Sequence, residues 1–156
     1  ELKKGGKLIF IRHAYAPGIG DPDNFDIDNC DTQRNLSDVG REQAKKIGAF
    51  FKKNNITVDE VYSSEWCRCK ETAQIAFNKY EKKNFLNSFF SSRFFKNKES
   101  QMIKLKRFIY NHDNKKNIIF LTHYVVINET LNYSSNSGEI IVIDKNYNIL
   151  GNLMTN

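Results

Sequence analysis

Two of the three histidines follow short apolar runs of the kind that form buried strands. His13 comes directly after Arg12 where the first run ends, and His123 follows another run 110 residues later. Arg68 lies about one helical turn beyond a third apolar run. A guanidinium binds phosphate oxygens in pairs and stays charged, while an imidazole nitrogen can attack phosphorus. These residues together therefore predict a site for phosphoryl chemistry.

Each of these histidines also has a simpler interpretation, because a lone buried histidine is most often part of the core. Two at equivalent strand ends, accompanied by two arginines, favour a shared anion pocket instead. The remaining histidine, His112, lies in a polar loop and is expected to be solvated. A metal site is disfavoured because the sequence has no His-x-x-x-His pair and no dense acidic cluster near either strand-end histidine. We therefore expect chemistry that relies on fixed positive charge and needs neither a metal nor another cofactor.

Strand and helix patterns alternate along the chain, which is typical of an α/β fold. Predicted strands are at residues 7–11, 58–62, 117–122, 139–144 and 148–153, and predicted helices or turns are at 37–53, from 63 or 64 to 79, about 100–110 and 123–131. Residues 14–35 carry turn-forming residues without periodicity and are predicted as loop, while residues 80–98 fit no single pattern. The order predicts one domain over residues 1–156, a three-layer sandwich with a mainly parallel sheet between helices. In such folds ligands bind at the carboxyl ends of the strands, where the histidines and arginines fall.

Composition and charge exclude several classes of protein. The chain has 24 basic and 18 acidic residues, but its five Lys-Lys pairs are scattered and form no block typical of a nucleic-acid-binding tail. No stretch approaches the roughly 18 apolar residues of a membrane span. A modest positive field favours the approach of an anionic substrate. We therefore expect a phosphorylated partner, with no nucleic acid and no membrane span, and leave the oligomeric state open.

Four segments resemble, in the same order, the motifs of the histidine phosphatase superfamily, which has the phosphoglycerate mutase-like fold. Residues 8–14 resemble its Arg-His-Gly motif, residues 35–44 its Leu-Ser segment, residues 61–73 its second arginine segment and residues 121–123 its second histidine motif. Ala14 stands where the family usually has glycine. Residues 29–34 are similar to a loop in a small bacterial subgroup whose members are often exported.

The resemblance implies a phosphatase in which His13 becomes phosphohistidine. It also implies that Arg12, Arg68 and His123 form the rest of the phosphate pocket. The expected reaction is metal-independent hydrolysis of a phosphomonoester or a phosphoramidate in two steps. The substrate remains open among a phosphorylated small molecule, a glycan phosphate and protein phosphohistidine. The alternative is a non-catalytic phosphoanion-binding or regulatory protein of the same fold.

Three further side chains are candidates for contact with the substrate. Arg34 lies in the loop before the Leu-Ser segment and either reaches the pocket or makes a surface salt bridge. Thr122 either orients a neighbouring group or is structural, and Glu65 lies either at the pocket mouth or in solvent at a helix start. No carboxylate matches the general acid that larger relatives place between the second arginine segment and the helix before the second histidine. A missing acid would suit phosphoramidates or anhydrides, which have good leaving groups.

The cysteines bear on the compartment in which the protein works. In the expected fold, the loop with Cys30 and the helix start with Cys67 border one pocket, which predicts a disulfide between them. Such a bridge closes about 38 residues and stabilises the fold by roughly 3–4 kcal/mol on the chain-entropy model. Cys69 is the less suitable partner because two residues along a helix turn it about 200° away from Cys67. A disulfide would favour a periplasmic or secreted protein, whereas three reduced thiols would favour a cytoplasmic one. The chain starts at Glu1, which is either a processed terminus or an arbitrary boundary. A processed terminus would also favour export.

Overall fold

A sheet of six strands forms the centre of the computed structural model, which describes residues 1–155. Asn156, the last residue of the predicted domain, lies outside the described residues. The strands are β1 (Leu8–Arg12), β2 (Glu60–Ser63), β3 (Glu81–Lys82), β4 (Ile118–Thr122), β5 (Ile140–Ile143) and β6 (Ile149–Leu153). Their order is β3-β2-β4-β1-β5-β6; the first four run parallel, and β5 is antiparallel to both β1 and β6. The prediction of an α/β fold with a mainly parallel central sheet is confirmed.

Helices cover both faces of this sheet. They are α1 (Asp38–Lys53), α2 (Cys67–Phe77), α3 (Ser92–Phe95), α4 (Lys98–Tyr110) and α5 (Tyr124–Leu131). Alternate residues of a strand point to opposite faces. Accordingly Leu8 and Phe10 pack in one core cluster with α4 and α5, whereas Ile9 and Ile11 pack in another with α1 and α2. No helix among residues 1–155 is long and apolar enough to cross a membrane.

Helix α1 holds the loop that follows β1 close to the sheet. Its N-cap Ser37 accepts a hydrogen bond from the amide of Gly40 at 3.2 Å, as the sequence predicts. A Cβ on Gly40 would lie 2.0 Å from the carbonyl oxygen of Tyr15, and a Cβ on Gly48 would lie 2.3 Å from that of Ala76 on α2. Glycine at these positions therefore allows α1 to approach both the loop after His13 and helix α2.

Two parts of the chain differ from the sequence-based expectation. Helix α2 begins at Cys67 rather than after Ser63 or Ser64, because the Ser64 hydroxyl contacts a histidine side chain and accepts from the Trp66 amide. Residues 80–98 form the short strand β3, a 3₁₀ turn at Asn84–Leu86 and helix α3. These pieces are too short to produce a hydrophobic period that a sequence could show.

Candidate active site

The parallel strands bring the two strand-end histidines to one edge of the sheet. Arg12 on β1 pairs in register with Thr122 on β4. The His13 amide donates to the Thr122 carbonyl at 3.0 Å. His13 and His123, the residues that follow β1 and β4, therefore lie side by side at the carboxyl edge of the sheet. The imidazole centroids of His13 and His123 are 5.5 Å apart, with the rings edge to face. Both side chains are buried, at 2% and 3% exposure.

His13 is held in one tautomer by its own backbone. Its Nδ1 lies 2.8 Å from the carbonyl oxygen of Ala14, which can only accept, so Nδ1 carries the proton. The other nitrogen, Nε2, therefore presents a lone pair and accepts from Arg68 Nε at 3.2 Å. Burial, and next the positive charge of Arg68, hold the pKa of His13 well below its usual value. The imidazole is neutral near pH 7 and has the form that a nucleophile requires.

His123 is held through the opposite nitrogen. Its Nε2 lies 2.8 Å from the Ser64 hydroxyl, which in turn donates to the side-chain oxygen of Asn87 at 3.2 Å. This arrangement makes Nε2 the protonated nitrogen. Nδ1 is buried and has no hydrogen-bond partner among the described residues. Burial, followed by the charge of Arg68, keeps the pKa of His123 well below its usual value, and an anion beside Nδ1 would offset both effects.

Arg12 has a buried donor without a partner on the same cleft. Its Nη1 donates to the Ser135 carbonyl at 2.7 Å, and its guanidinium carbon lies 5.4 Å from the centre of the Tyr124 ring. Its Nε is buried and has no partner within residues 1–155. An unpartnered buried donor is costly, so Arg12 Nε is suited to donate to an oxygen of an anion. Nδ1 of neutral His123 is an acceptor, and it becomes a second donor when an anion favours its protonation.

Arg68 is almost completely buried and already has several partners. Besides His13, its guanidinium donates to both carboxylate oxygens of Asp21, at 2.8 and 3.3 Å, and to the Arg34 carbonyl at 3.3 Å. Asp21 also accepts from the Arg34 amide and from Trp66 Nε1, each at 3.0 Å. The pKa of Asp21 is lowered, because these hydrogen bonds and the charge of Arg68 outweigh its burial.

Sequence reasoning did not identify Asp21 as a site residue. It lies between Gly20 and Pro22 in the predicted loop, a context that indicates only a turn. From the sequence one could have predicted only that some carboxylate is needed, because three buried or half-buried arginines in one pocket require a negative charge nearby.

Arg34 reaches the cleft and makes no surface salt bridge with any residue from 1 to 155. Its Nε donates to the Gly20 carbonyl at 2.7 Å, and its Nη1 donates to the Ala16 carbonyl. Burial, together with repulsion from Arg68, lowers the pKa of Arg34 to about 10. The side chain therefore remains charged near pH 7 while it fixes the loop that carries Asp21.

Thr122 and Glu65, which the sequence suggests as candidates for contact with the substrate, are not among the residues that line the cleft. The Thr122 hydroxyl turns into the fold and donates to the Leu86 carbonyl at 2.6 Å. Glu65 accepts from the Asn87 side chain at 2.9 Å, and Asn87 lies between it and the Ser64–His123 pair. Both residues support neighbours of the site, and their expected contact with substrate has no geometric support.

The arginines and histidines of the site line a cleft of about 410 Å³. Aromatic side chains form part of its other walls, with Phe25 and Trp66 stacked at 4.8 Å and Phe94 against both rings. Phe90 also lines the cleft and is 58% exposed. Serine and charged side chains lie between these rings, so the cleft offers both apolar and polar surface to the organic part of a phosphorylated substrate.

The predicted disulfide between Cys30 and Cys67 is present, with the two Cα atoms 5.8 Å apart. Beside it, the side-chain oxygen of Gln33 accepts from the Cys67 amide at 2.9 Å. The bridge thus ties the loop of Arg34 to the first turn of α2, which carries Arg68. Cys69 is free and buried, and burial raises the pKa of its thiol to about 12, so it is protonated near neutral pH.

Metal ligation has no obvious residue set. Within residues 1–155, no three or more His, Cys, Asp or Glu side chains group together in a way that could hold a metal ion. The polar groups that face the cleft are mostly cationic or donors, which suits an anion.

Imidazoles and guanidinium groups meet at the carboxyl edge of the parallel strands of an α/β fold, an arrangement whose chemistry suits an anion. Residues 8–86 match the model of the histidine phosphatase superfamily, branch 1. This match spans half of the chain, and the chain belongs to that superfamily.

Part of the chain is also similar in sequence to a larger phosphatase. The mitochondrial serine/threonine-protein phosphatase Pgam5 of Drosophila grimshawi is 37% identical over 87 residues, which are 54% of this chain and 27% of Pgam5. The match therefore spans only about a quarter of that relative's length.

Among solved structures, the protein histidine phosphatase SixA complexed with tungstate is 12% identical, with a TM-score of 0.64 over 96% of each chain. Phosphoglycerate mutase from Thermus thermophilus is 14% identical, with a TM-score of 0.64 over 96% of this chain and 99% of that one. At these identities the two structures show a shared fold.

Proposed function

We propose that this protein is a phosphatase that hydrolyses a phosphomonoester or a phosphoramidate through a phosphohistidine on His13. The observation that carries the proposal is the neutral His13 imidazole, whose Nε2 lone pair faces a buried group of cationic donors. Membership of the histidine phosphatase superfamily and the similarity to Pgam5 support phosphatase activity.

In the first step, Arg68 Nε releases His13 Nε2, which forms an N–P bond as the bond from phosphorus to the leaving group breaks. The leaving group departs with the bonding electrons and takes a proton from solvent. Nδ1–H of His13 stays on the Ala14 carbonyl, which stabilises the positive charge that the ring acquires. The free Nε–H of Arg12, and Nδ1 of His123 once the phosphoryl group favours its protonation, are suited to the equatorial oxygens of the transferring group.

In the second step, water forms a bond to phosphorus and the N–P bond breaks back onto Nε2. Inorganic phosphate leaves, the water proton passes to phosphate or solvent, and His13 returns to its starting form. The same donors serve both steps, because the phosphoryl group stays in place while the leaving group and the water exchange.

The site favours substrates whose leaving group needs little help from an acid. Among the described residues, two carboxylates line the cleft. Asp21 has both oxygens occupied by donors and is unsuited to protonate a leaving group, and Asp23 is exposed and makes no hydrogen bond or ion pair with the arginines of the site. This supports phosphoramidates, protein phosphohistidine among them, over simple alkyl phosphates. The open, aromatic cleft also accommodates a bulky substrate.

Hydrolysis of p-nitrophenyl phosphate without added metal tests the proposal, with His13→Ala and His112→Ala compared. His112 is the matched control because its ring bonds only the Ile109 carbonyl, away from the cleft. We expect turnover in the wild type and in His112→Ala, and its loss in His13→Ala. Equal rates in the two variants would contradict the assignment of His13 as the nucleophile. Phosphate binding without turnover in the wild type would favour a non-catalytic phosphoanion-binding protein.

A second assay concerns the substrate class. A phosphohistidine peptide, a sugar phosphate and glycerol phosphate are compared at equal concentration. We expect kcat/KM to be highest for the phosphohistidine peptide. A preference for glycerol phosphate would contradict the proposed tolerance for a missing acid.

We also propose that the protein works in an oxidising compartment, either periplasmic or secreted. The Cys30–Cys67 disulfide supports this proposal, because such bonds persist mainly outside the cytosol. Non-reducing peptide mapping of protein from its native source tests it. Recovery of the two cysteines as separate alkylatable thiols would favour the cytoplasm.

A further inference from the structure

Asp21 is the main internal acceptor in a cleft otherwise rich in donors. Its Oδ1 accepts from Arg68 and from the Arg34 amide, and its Oδ2 accepts from Arg68 and Trp66 Nε1. A carboxylate oxygen has about two acceptor positions, so both oxygens are saturated. Donors from the loop, from α2 and from its N-cap hold the carboxylate at a fixed place. The side chain is only 15% exposed.

The donors of Arg68 can be counted in the same way. A guanidinium has five N–H bonds. Of these, Nε–H points to His13, the two on Nη1 to Asp21 and the Arg34 carbonyl, and one on Nη2 to Asp21. At most one N–H of Arg68 is therefore unused in the free protein. A phosphate that binds Arg68 through more than one oxygen must replace an existing partner.

Two of the three partners of Arg68, Asp21 and His13, differ in how readily they are replaced. Asp21 is anchored by two further donors, whereas His13 Nε2 accepts only from Arg68. Replacement of His13 is also what the chemistry requires, because the Nε2 lone pair must become free to attack phosphorus. The arriving phosphate is thus expected to take the Nε–H of Arg68 while Asp21 keeps its contacts.

We propose that Asp21 is a positioning residue that fixes Arg68 beside His13 and offsets its charge, so that phosphate is oriented for attack but released after hydrolysis. The part of this proposal that concerns turnover rests on the proposed phosphatase function. The part that concerns phosphate affinity does not, because binding can be measured without catalysis.

Two other roles for Asp21 predict different behaviour. A general acid or base needs a free acceptor position towards the substrate, and the four donors leave none. A purely structural role would make a variant weaker in phosphate binding and in turnover together, because Arg68 would simply be misplaced. Charge offset predicts the opposite sign for binding, since removal of a nearby negative charge strengthens attraction of an anion.

The test compares Asp21→Asn with Asp28→Asn. Asp28 lies in the same loop but does not line the cleft, is exposed, and its carboxylate makes no hydrogen bond or ion pair within the described residues, so its variant removes the same charge without the Arg68 contact. We measure the Kd of inorganic phosphate by calorimetry and the kcat and KM for p-nitrophenyl phosphate. For Asp21→Asn we expect phosphate to bind about tenfold more tightly and kcat to fall about tenfold or more. For Asp28→Asn we expect each value to change by less than about twofold.

A second variant, Asp21→Glu, separates charge from position and serves if the Asn variant does not fold. The longer side chain keeps the charge but displaces the carboxylate by about one methylene. We expect kcat to fall while the Kd of phosphate stays within about twofold of the wild type. Thermal unfolding of every variant verifies that the fold is intact.

Three outcomes would overturn the proposal: weaker phosphate binding in Asp21→Asn, equal effects in Asp21→Asn and Asp28→Asn, or full turnover in Asp21→Glu. Failure of the proposed function looks different. In that case the wild type binds phosphate without hydrolysing the ester, and the Kd comparison alone decides whether Asp21 offsets the charge of Arg68.

Discussion

His13 and His123 follow neighbouring parallel strands and share one cleft, yet they are held through opposite nitrogens. Nδ1 of His13 is fixed by the Ala14 carbonyl, and its Nε2 faces Arg68. Nε2 of His123 is fixed by Ser64, and its Nδ1 is buried without a partner among the described residues. Equivalent places in the sheet therefore produce unlike chemistry: one ring offers a lone pair next to a cation, and the other is poised to interact with an anion.

The surroundings of the two rings also differ in how they are built. The side of His13 depends on residues 14–35, a segment with little regular structure. In it, backbone carbonyls hold the Arg34 side chain, N–H donors hold Asp21, and the disulfide ties the segment to α2. The side of His123 depends on the end of β2 and the start of α5, inside the folded core. We therefore expect that changes in the loop beside His13 leave the sheet intact, whereas changes beside His123 disturb it.

The largest expected effect is the loss of the nucleophile. His13→Ala should reduce kcat by at least about 10⁴-fold, because the variant lacks the imidazole nitrogen that accepts from Arg68 and forms the covalent bond to phosphorus. The fold should change little, since the imidazole lies at the edge of the sheet. Trapping with labelled substrate should detect an acid-labile, base-stable phosphoryl group in the wild type and none in the variant.

His123→Ala sharpens the same contrast. Its kcat should fall by less, about 10²- to 10³-fold, because it removes a donor to the transferring group rather than the group that forms the covalent bond. The label on His13 should still form, more slowly. A label that disappears equally in both variants would mean that His123 is as necessary as His13 for formation of the covalent bond, which would contradict the proposed difference between the rings.

Loss of the disulfide tests the dependence of the His13 side on its loop. A Cys30→Ser, Cys67→Ser double variant should have a free energy of unfolding lower by at most roughly 3–4 kcal/mol. Denaturant unfolding with and without reductant measures the difference, and reduction should affect only the wild type. Phosphate binding should weaken in the double variant, because the loop that carries Arg34 and Asp21 loses its covalent link to α2 and keeps only its hydrogen bonds. Unchanged stability would show that the loop is fixed by its hydrogen bonds alone.

Ser64→Ala tests the anchor of His123. Without the hydroxyl, Nε2 keeps only the weak contact with the Cys69 sulfur at 3.5 Å, so its tautomer and orientation are no longer fixed. We expect kcat to fall about tenfold. Ser63→Ala is the matched control, because that buried hydroxyl donates to the Ser64 carbonyl and does not contact His123. Similar losses in both variants would point to disturbed packing of β2 rather than to the histidine.

The same contrast explains what the sequence could and could not predict. β1, β4 and α1 were recognisable because apolar runs and the Ser37 cap are local signals, and they positioned both histidines. The disulfide followed from the expected fold.

The polar contacts around the site were not predictable, since they depend on distant segments that meet only in the folded chain. Thr122 and Glu65 have suitable types at suitable positions, but their side chains turn to Leu86 and Asn87. Asp21 lies in a segment without any periodicity and acquires a role only where Arg68 and Trp66 meet it.

The smallest expected effect is the response of the two rings to pH, and it tests the contrast directly. Burial, followed by the charge of Arg68, lowers the pKa of both His13 and His123 well below the ordinary 6.5, so neither should titrate between about pH 8 and 6.5. Over that range kcat/KM should vary by less than about twofold, because His13 protonates only at lower pH. The unfolded chain takes up protons near pH 6.5 and the folded chain does not, so the free energy of unfolding should decrease as pH falls through about that value.

Nitrogen NMR of the free protein at about pH 7 measures the same contrast at the level of single atoms. We expect a proton on Nδ1 of His13 and on Nε2 of His123, the two opposite neutral tautomers, because a carbonyl fixes the first ring and the Ser64 hydroxyl the second. Added inorganic phosphate should shift the Nδ1 signal of His123 towards the protonated form, since the anion offsets burial and the charge of Arg68. The same tautomer on both rings, or an ordinary titration near pH 6.5 for either ring, would mean that strand-end placement alone sets their chemistry and that their different anchors do not.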